Sequence, residues 1–318
     1  MSKQPSENID KREATSPKLS VIIPMFNEQR YILRCLKSLK EQSNDHFEII
    51  LVDDGSTDDT LQVVDAFLAN AKFKKSQVQV LHQKRQGPGA ARNLGARTAK
   101  GEILILIDAD MVFDKNYLQE LTLPLKDDKV MGTFHGTEKV ANSRNIWARC
   151  WSIDRMPNCP EYSGVYRAIR KKHFLSSKGF DAKKGYFDDD LASILGKQSR
   201  AVPSAICYHN NPETLGEAFQ HSVWVGKSFA RDTRSLKDYL FRFWFILLCM
   251  ILGFGVVLYT KSFIVIPLLI LALLLLVSLK RTVYENYPLY LLFLPILLVV
   301  RFTGYLLGAV LAVVSKKY

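Results

Sequence analysis

LILIDADMVF, residues 104–113, sets an aliphatic run against two aspartates, Asp108 and Asp110, held one residue apart. The run reads as a strand, and a strand that ends on two like charges raises the question of what lets them stand so close. Similar runs enriched in Val, Ile and Leu lie at LSVIIP (19–24), FEIILVD (47–53) and VQVLH (78–82), with EILILID (102–108) as the fourth. Helical patterns fill residues 28–42, 59–71 and 88–100 between them. The β-α-β-α-β-α-β order predicts an α/β fold with a mostly parallel sheet covered by helices on both faces.

Ligands of such sheets bind beyond the carboxyl ends of the strands. Polar residues collect there: Asn27 and Glu28 after the first strand, Asp53 and Asp54 after the second, Asp108 and Asp110 after the fourth. A lone D-x-D is also what a solvated turn looks like. Here five apolar residues precede it and two other acidic strand ends accompany it. Paired carboxylate oxygens at a sheet edge suit a hard divalent cation, which cancels their repulsion and can hold phosphate oxygens. GPGAARNLGA (87–96) offers glycines for close backbone approach, a helix N-terminus, and Arg92 one turn inside that helix. It matches neither the Walker nor the dinucleotide fingerprint, and a plain loop-to-helix start is its other reading.

Further along, the pattern predicts a helix over 142–155, strand-like VYRAI (165–169), a turn-rich GFDAKKGYFDDD, a helix at LASILGK and a strand at AVPSAICYH (201–209). A helical repeat of Leu215, Phe219, Val223, Gly226 and Ala230 suits a helix lying on a membrane or on the sheet. From Phe241 to Val314 nearly every residue is apolar, with polar punctuation at Lys261, Lys280, Arg281 and Arg301. Candidate spans are Phe241–Tyr259, Ser262–Leu279 and Leu289–Val314, the third interrupted by Pro295 and Arg301, which predicts two to three transmembrane helices.

The organisation expected is a disordered tail (1–17), a soluble domain (18–231) and a membrane domain (232–318). The soluble domain divides into a nucleotide-binding half (18–110) and an acceptor half (111–231). The formal charge is +12, with excess in Arg167–Lys184 and Lys227–Arg242, just ahead of the apolar segment. Basic residues flanking a span favour the cytoplasmic side and anionic head groups, so a multi-pass protein of the cytoplasmic membrane with its soluble domain in the cytoplasm is expected. The five cysteines form no C-x-x-C pair, which fits a reduced compartment. No nucleic-acid-binding motif accompanies the charge, and no nucleic acid partner is expected.

SVIIPMFNE, EIILVDDGSTDDT, GPGAARNLGA and LILIDAD, in this order, resemble the nucleotide-binding half of family 2 glycosyltransferases with the GT-A fold. GVYRAIRKKHF, KGFD and FDDDL resemble that family's acceptor-half motifs, so the likeness covers residues 18–231. The resemblance implies a nucleotide-diphosphate sugar donor and Mg²⁺ or Mn²⁺ as cofactor. It implies that Pro24, Phe26 and Asp54 contact the base, that Asn27, Glu28 and Asp53 shape the same pocket, and that Arg92 meets the diphosphate. Asp108 would touch ribose or sugar and share in holding the metal, whose principal ligand would be Asp110, with His209 in reach. The family's E-D-x-D-L aligns with Phe187, Asp188, Asp189, Asp190 and Leu191, which gives Asp188 the place of the general base with Asp189 in reserve. Phe187 departs from the family's Glu.

QHSVW (220–224) resembles the Q-x-x-R-W motif of processive synthases, but Val223 replaces the arginine. Trp224 stacks on an acceptor or anchors at a membrane interface in the two readings open to it. His135 and His173 read as core or surface residues. The function expected is membrane-anchored, inverting sugar transfer to a polyprenyl phosphate or a lipid-linked glycan. A processive polysaccharide synthase and a non-catalytic membrane scaffold are the alternatives.

Overall fold

The computed structural model describes residues 19–70, 77–151, 166–181, 199–229 and 265–315. Its strands are β1 (Leu19–Met25), β2 (Phe47–Asp53), β3 (Val78–His82), β4 (Ile103–Leu106), β5 (Met111–Phe113), β6 (Gly132–Val140), β7 (Ala168–Arg170) and β8 (Ser199–His209). Its helices are α1 (Ile32–Lys40), α2 (Thr60–Asn70), α3 (Pro88–Thr98), α4 (Tyr117–Thr122), α5 (Ile146–Trp151), α6 (Lys171–Ser176), α7 (Leu215–Phe229), α8 (Val265–Glu285) and α9 (Tyr290–Ser315). The strands form one sheet in the order β3-β2-β1-β4-β7-β6-β8-β5. Strands β1 to β4 pair in parallel, as the alternating sequence pattern predicts. Beyond β4 the sheet is mixed: β7 runs antiparallel to β4 and β6, β6 parallel to β8, and β5 antiparallel to β8.

Alternation along the strands divides the core in two. Val21, Ile23, Ile49, Leu51 and Ile105 join the apolar stripe of α1, made by Ile32, Cys35, Leu36 and Leu39 at helical spacing. Ile22, Ile50, Val52, Leu104 and Leu106 point the other way and pack with Ala91 and Ala96 of α3. A Cβ on Gly95 would lie 2.5 Å from Ile22 Cγ2, so the missing side chain sets how closely α3 lies on the sheet.

Element ends differ from the sequence reading for local reasons. The expected helix 28–42 begins only at Ile32, because Asn27 takes a left-handed φ of 58° and the Glu28 carbonyl accepts from Tyr31 and Ile32 N–H. The expected strand 102–108 stops at Leu106, although Ile107 N–H still donates to Ile22 O at 3.2 Å, so Asp108 is released from the ladder. The helix expected over 142–155 is described as α5 alone, and β5, β6, α4 and α6 are additions. GTFHGTEKV, the sequence of β6, carries two glycines and no apolar alternation in its second half, which hides it from pattern reading. The expected tail 1–17, the FDDDL and LASILGK segments and the candidate span 241–259 lie outside the described residues.

Helices α8 and α9 are both long and apolar enough to cross a membrane, and many of their leucines face outward; Leu276 and Leu292 are each 63% exposed. Helix α9 runs through Pro295 without a break. It packs along α7, where Gly304 and Gly308 bring the two backbones together in the small-xxx-small manner. Trp151, Ala218, Leu294 and Leu297 join α5, α7 and α9 into a separate apolar cluster.

Candidate active site

The carboxyl ends of β1, β2 and β4 converge, and the loops that leave them carry the expected polar residues. At the end of β2, Asp53 Oδ1 accepts Ser56 N–H at 3.0 Å and Oδ2 lies 3.6 Å from His82 Nδ1. Asp54 is buried, and both its oxygens are in use: Oδ1 accepts Gln83 Nε2 (2.7 Å) and Gln86 N–H (2.8 Å), Oδ2 accepts Gly87 N–H (2.8 Å). Asp54 thereby fastens the loop that leads into α3. Asn27 Oδ1 accepts Thr57 N–H at 2.8 Å and joins the β1 and β2 loops. Pro24 pairs with Val52 inside the sheet, while the half-buried Phe26 ring faces outward under the Arg85 guanidinium, 3.1 Å from its centroid.

Asp108 is held from two sides. Arg92, on the second turn of α3, meets Oδ1 at 2.5 Å, and Arg167, just ahead of β7, meets Oδ2 at 2.9 Å. Burial opposes ionisation of this carboxyl, but Arg167 and then Arg92 outweigh it and hold the group well below the usual carboxylate range. The repulsion posed by D-x-D is therefore relieved at Asp108 by arginine.

Asp110 is placed differently. Met111 of β5 pairs with His209 of β8, and this register brings His209 Nε2 to 2.9 Å from Asp110 Oδ2. Asn210 reaches the Asp110 carbonyl through both its backbone N–H (3.2 Å) and Nδ2 (2.7 Å). Asp110 Oδ1 is buried and accepts no hydrogen bond among the described residues. Glu28 lies in the same field. Its carboxyl is pushed up to about 9 by burial first, then by Asp110 and Asp108. An orphaned carboxylate oxygen, an imidazole beside it and a carboxyl forced to hold its proton describe a place short of positive charge.

Sequence reading missed Arg167 and Glu138. Arg167 was visible only as one charge within GVYRAIRKKHF, and Glu138, whose Oε1 lies 2.7 Å from His209 Nδ1, only as part of β6. Trp224 sits on α7, 37% exposed and edge-on to His221 with 5.6 Å between centroids. Asp188 and Asp189 lie outside the described residues.

The sequence profile of Glycosyl transferase family 2 matches residues 20–187, which take in the parallel half of the sheet from Ser20 onward and both Asp108 and Asp110, while His209 and Asn210 lie beyond it. The chain belongs to glycosyltransferase family 2. Its relatives within the family include the glycosyltransferase GlyG of Streptococcus pneumoniae, 34% identical over 125 residues, which are 38% of this chain and 40% of GlyG. The poly(ribitol-phosphate) beta-N-acetylglucosaminyltransferase TarS of Staphylococcus aureus is 37% identical over 105 residues, 32% of this chain and 18% of TarS. The matched stretches thus span two fifths or less of those two relatives. The solved mannosyltransferase PcManGT from Pyrobaculum calidifontis, in complex with GDP-Man and Mn²⁺, aligns over 92% of this chain and 88% of its own with a TM-score of 0.60. At 19% identity that likeness is one of fold, and the family 2 chain described here has the GT-A architecture followed by a helical region.

Proposed function

We propose that this family 2 chain is a metal-dependent, inverting glycosyltransferase that moves a sugar from a nucleotide-diphosphate donor to an acceptor presented at a membrane surface. The observation that carries the reading is the acidic field of Glu28, Asp108 and Asp110 beside Arg92 and His209, at the strand ends where α/β sheets bind ligands. The buried Oδ1 of Asp110, without a partner among the described residues, fits a divalent cation, which Asp110 and His209 would hold. Among the described residues no three acidic, His or Cys side chains form a complete cage. Mg²⁺-type sites commonly combine one or two protein ligands with phosphate oxygens and water, so two ligands are sufficient for this reading. Both Asp108 oxygens are already engaged by arginine, which favours Asp110 over Asp108 as the metal ligand.

When bound, Mg²⁺ or Mn²⁺ neutralises charge on a departing diphosphate. The chain's own residues do the rest. Asn27, Asp53 and Asp54 shape the loops around Pro24 and Phe26 as a pocket for the donor base. Arg92, at the start of α3, offers positive charge to phosphate together with the helix N-terminus. Asp188, with Asp189 in reserve, takes the proton from the attacking acceptor hydroxyl, a role carried by the family motif. The exposed apolar surfaces of α8 and α9 support anchoring in a membrane, and Trp224 supports acceptor contact near it. A lipid-linked acceptor, polyprenyl phosphate or glycan, follows from that anchoring, with membrane lipids as the surrounding partners. The sugars named for TarS and PcManGT make N-acetylglucosamine and mannose donors the first to screen.

The test is release of nucleoside diphosphate by the purified full chain in nanodiscs, using UDP- and GDP-sugars with Mn²⁺. Asp110→Asn and Asp188→Asn are each expected to lower turnover by about 100-fold or more. Turnover equal to the parent in both variants would overturn the assignment.

A further inference from the structure

A chain of polar side chains runs from the core to the back of His209. Tyr117 Oη, fully buried on α4, lies 3.0 Å from His135 Nδ1. His135 Nε2 lies 3.5 Å from Glu138 Oε2, and Glu138 Oε1 lies 2.7 Å from His209 Nδ1. The other nitrogen of His209 meets Asp110 at 2.9 Å. Nothing in a regular strand would produce this arrangement, because residues three apart point to opposite faces. The pairing of β6 with β8 is irregular between His135 and Thr137, where Thr137 pairs with Ile206 after His135 has paired with Val202. That irregularity lets His135 and Glu138 face one another, as bulges near sites re-aim side chains elsewhere.

We propose that Glu138 is a positioning residue: it holds the Nδ1 side of His209, so that Nε2 is the nitrogen presented to Asp110 and to the cation these two residues would share. The inference rests on the metal-assisted reading above and deepens it. Glu138 is suited to this work because both its oxygens are engaged, one by His209 and one by His135, which is itself fixed by Tyr117. A His ligand whose second nitrogen is held by a carboxylate keeps its ring plane and tautomer, and loss of such a partner typically weakens metal binding about 10- to 100-fold. Tyr117, His135 and Glu138 lie outside the residues that the family resemblance assigns to chemistry. They form the scaffold behind those residues.

Mn²⁺ binding to the full chain in nanodiscs, followed by the electron paramagnetic resonance of free Mn²⁺ with and without UDP or GDP, tests this. Glu138→Gln should weaken Mn²⁺ affinity about 10-fold or more. In a His209→Ala background the same substitution should have no further effect, a coupling that a merely structural role for Glu138 does not give. Should Glu138→Gln fail to fold by circular dichroism, Glu138→Asp, which keeps the charge but withdraws the carboxylate, must show the loss. Parent-like affinity in the folded variant, or losses that add in the double variant, overturns the inference. Asp110→Asn separates the two readings. If it abolishes Mn²⁺ binding while Glu138→Gln does not, only the positioning role falls. If it too leaves binding unchanged, the metal-assisted reading falls with it.

Discussion

Arg167 Nη1 lies 2.9 Å from Asp108 Oδ2, on the opposite side of the carboxylate from Arg92. The first aspartate of the D-x-D pair is therefore neutralised by the protein, while the second, Asp110, retains a buried oxygen without a donor among the described residues. Two acids that look equivalent in sequence have different electrostatic roles.

Arg167→Met leaves Asp108 with one arginine in a mostly buried place. Removing one member of a buried pair costs several kcal/mol, and the 25% exposure of the Asp108 side chain moderates this to about 2 kcal/mol. Denaturant unfolding of the full chain measures it. The pH dependence has a definite sign, since Asp108 is held below its unfolded value of about 3.9. Its contribution is present above that value and is lost as pH falls through the folded one. The parent's advantage over Arg167→Met should therefore begin to shrink below about pH 4 and disappear only as pH falls through the folded value.

Glu28 gives the opposite slope. Its folded carboxyl titrates at about 9, above the ordinary 4.5, through burial and then Asp110 and Asp108. The stability tied to its proton is complete below about 4.5 and is lost as pH rises towards 9. Glu28→Gln removes this titration, so the metal-free variant should unfold at a higher temperature than the parent at pH 8, with the gap closing towards pH 4.5. A thermal melt series in a chelating buffer checks it, and a gap that widens on acidification contradicts the assignment.

Asp54 tests whether the loop before α3 is built by one carboxylate. Asp54→Asn replaces one acceptor oxygen by an amide nitrogen that cannot accept, so either Gln86 N–H or Gly87 N–H loses its partner. Losing a part-buried hydrogen bond of this kind costs about 0.5–1.5 kcal/mol. Hydrogen exchange should quicken at whichever of the Gln86 and Gly87 amides faces the new nitrogen, while those of β1 stay protected. Unchanged exchange at both amides would mean that other contacts hold the loop.

The parallel half was legible because its physics is local: strands buried on both faces need unbroken aliphatic runs, and Ile49–Val52 and Leu104–Ile107 supply them. The D-x-D acids were legible for the same reason, since the pair follows directly on such a run. Arg167 and Glu138 were not, because their meaning comes from antiparallel and parallel pairings between segments about 60 to 70 positions apart. Register across such distances leaves no mark in a periodicity. His135 looked like a core or surface residue and is in the core, 6% exposed, yet its neighbours give it a place behind His209. The apolar stripe of the helix at 215–229 pointed to a membrane or to the sheet, whereas the helix packs along α9, a pairing between distant segments that leaves no mark in its own periodicity.

The contact of α7 with α9 leads to the last prediction. A Cβ at Gly308 would sit 2.1 Å from Val223 O, and one at Gly304 would sit 2.7 Å from Ser222 Cβ. Both obstacles are part of a packed helix, and the first is backbone, which cannot rotate away. Gly308→Val must therefore separate the helices, whereas Gly308→Ala tests the smallest step in the same direction. Overpacking a close contact costs about 1–3 kcal/mol, and loss of the small-residue seam adds to it. Helix α7 follows directly from Asn210 and Asn211, which brace the Asp110 carbonyl and the Ala148 carbonyl. A shift of α7 is thus carried towards the acidic field, and Gly308→Val should lower both unfolding temperature and Mn²⁺ affinity. A leucine-to-alanine change at the outward-facing Leu292 should lower neither, because that side chain is 63% exposed among the described residues. Thermal unfolding and Mn²⁺ titration of the three variants in nanodiscs decide the matter. If Gly308→Val destabilises the chain but leaves Mn²⁺ affinity unchanged, the seam anchors the two helices without governing the site.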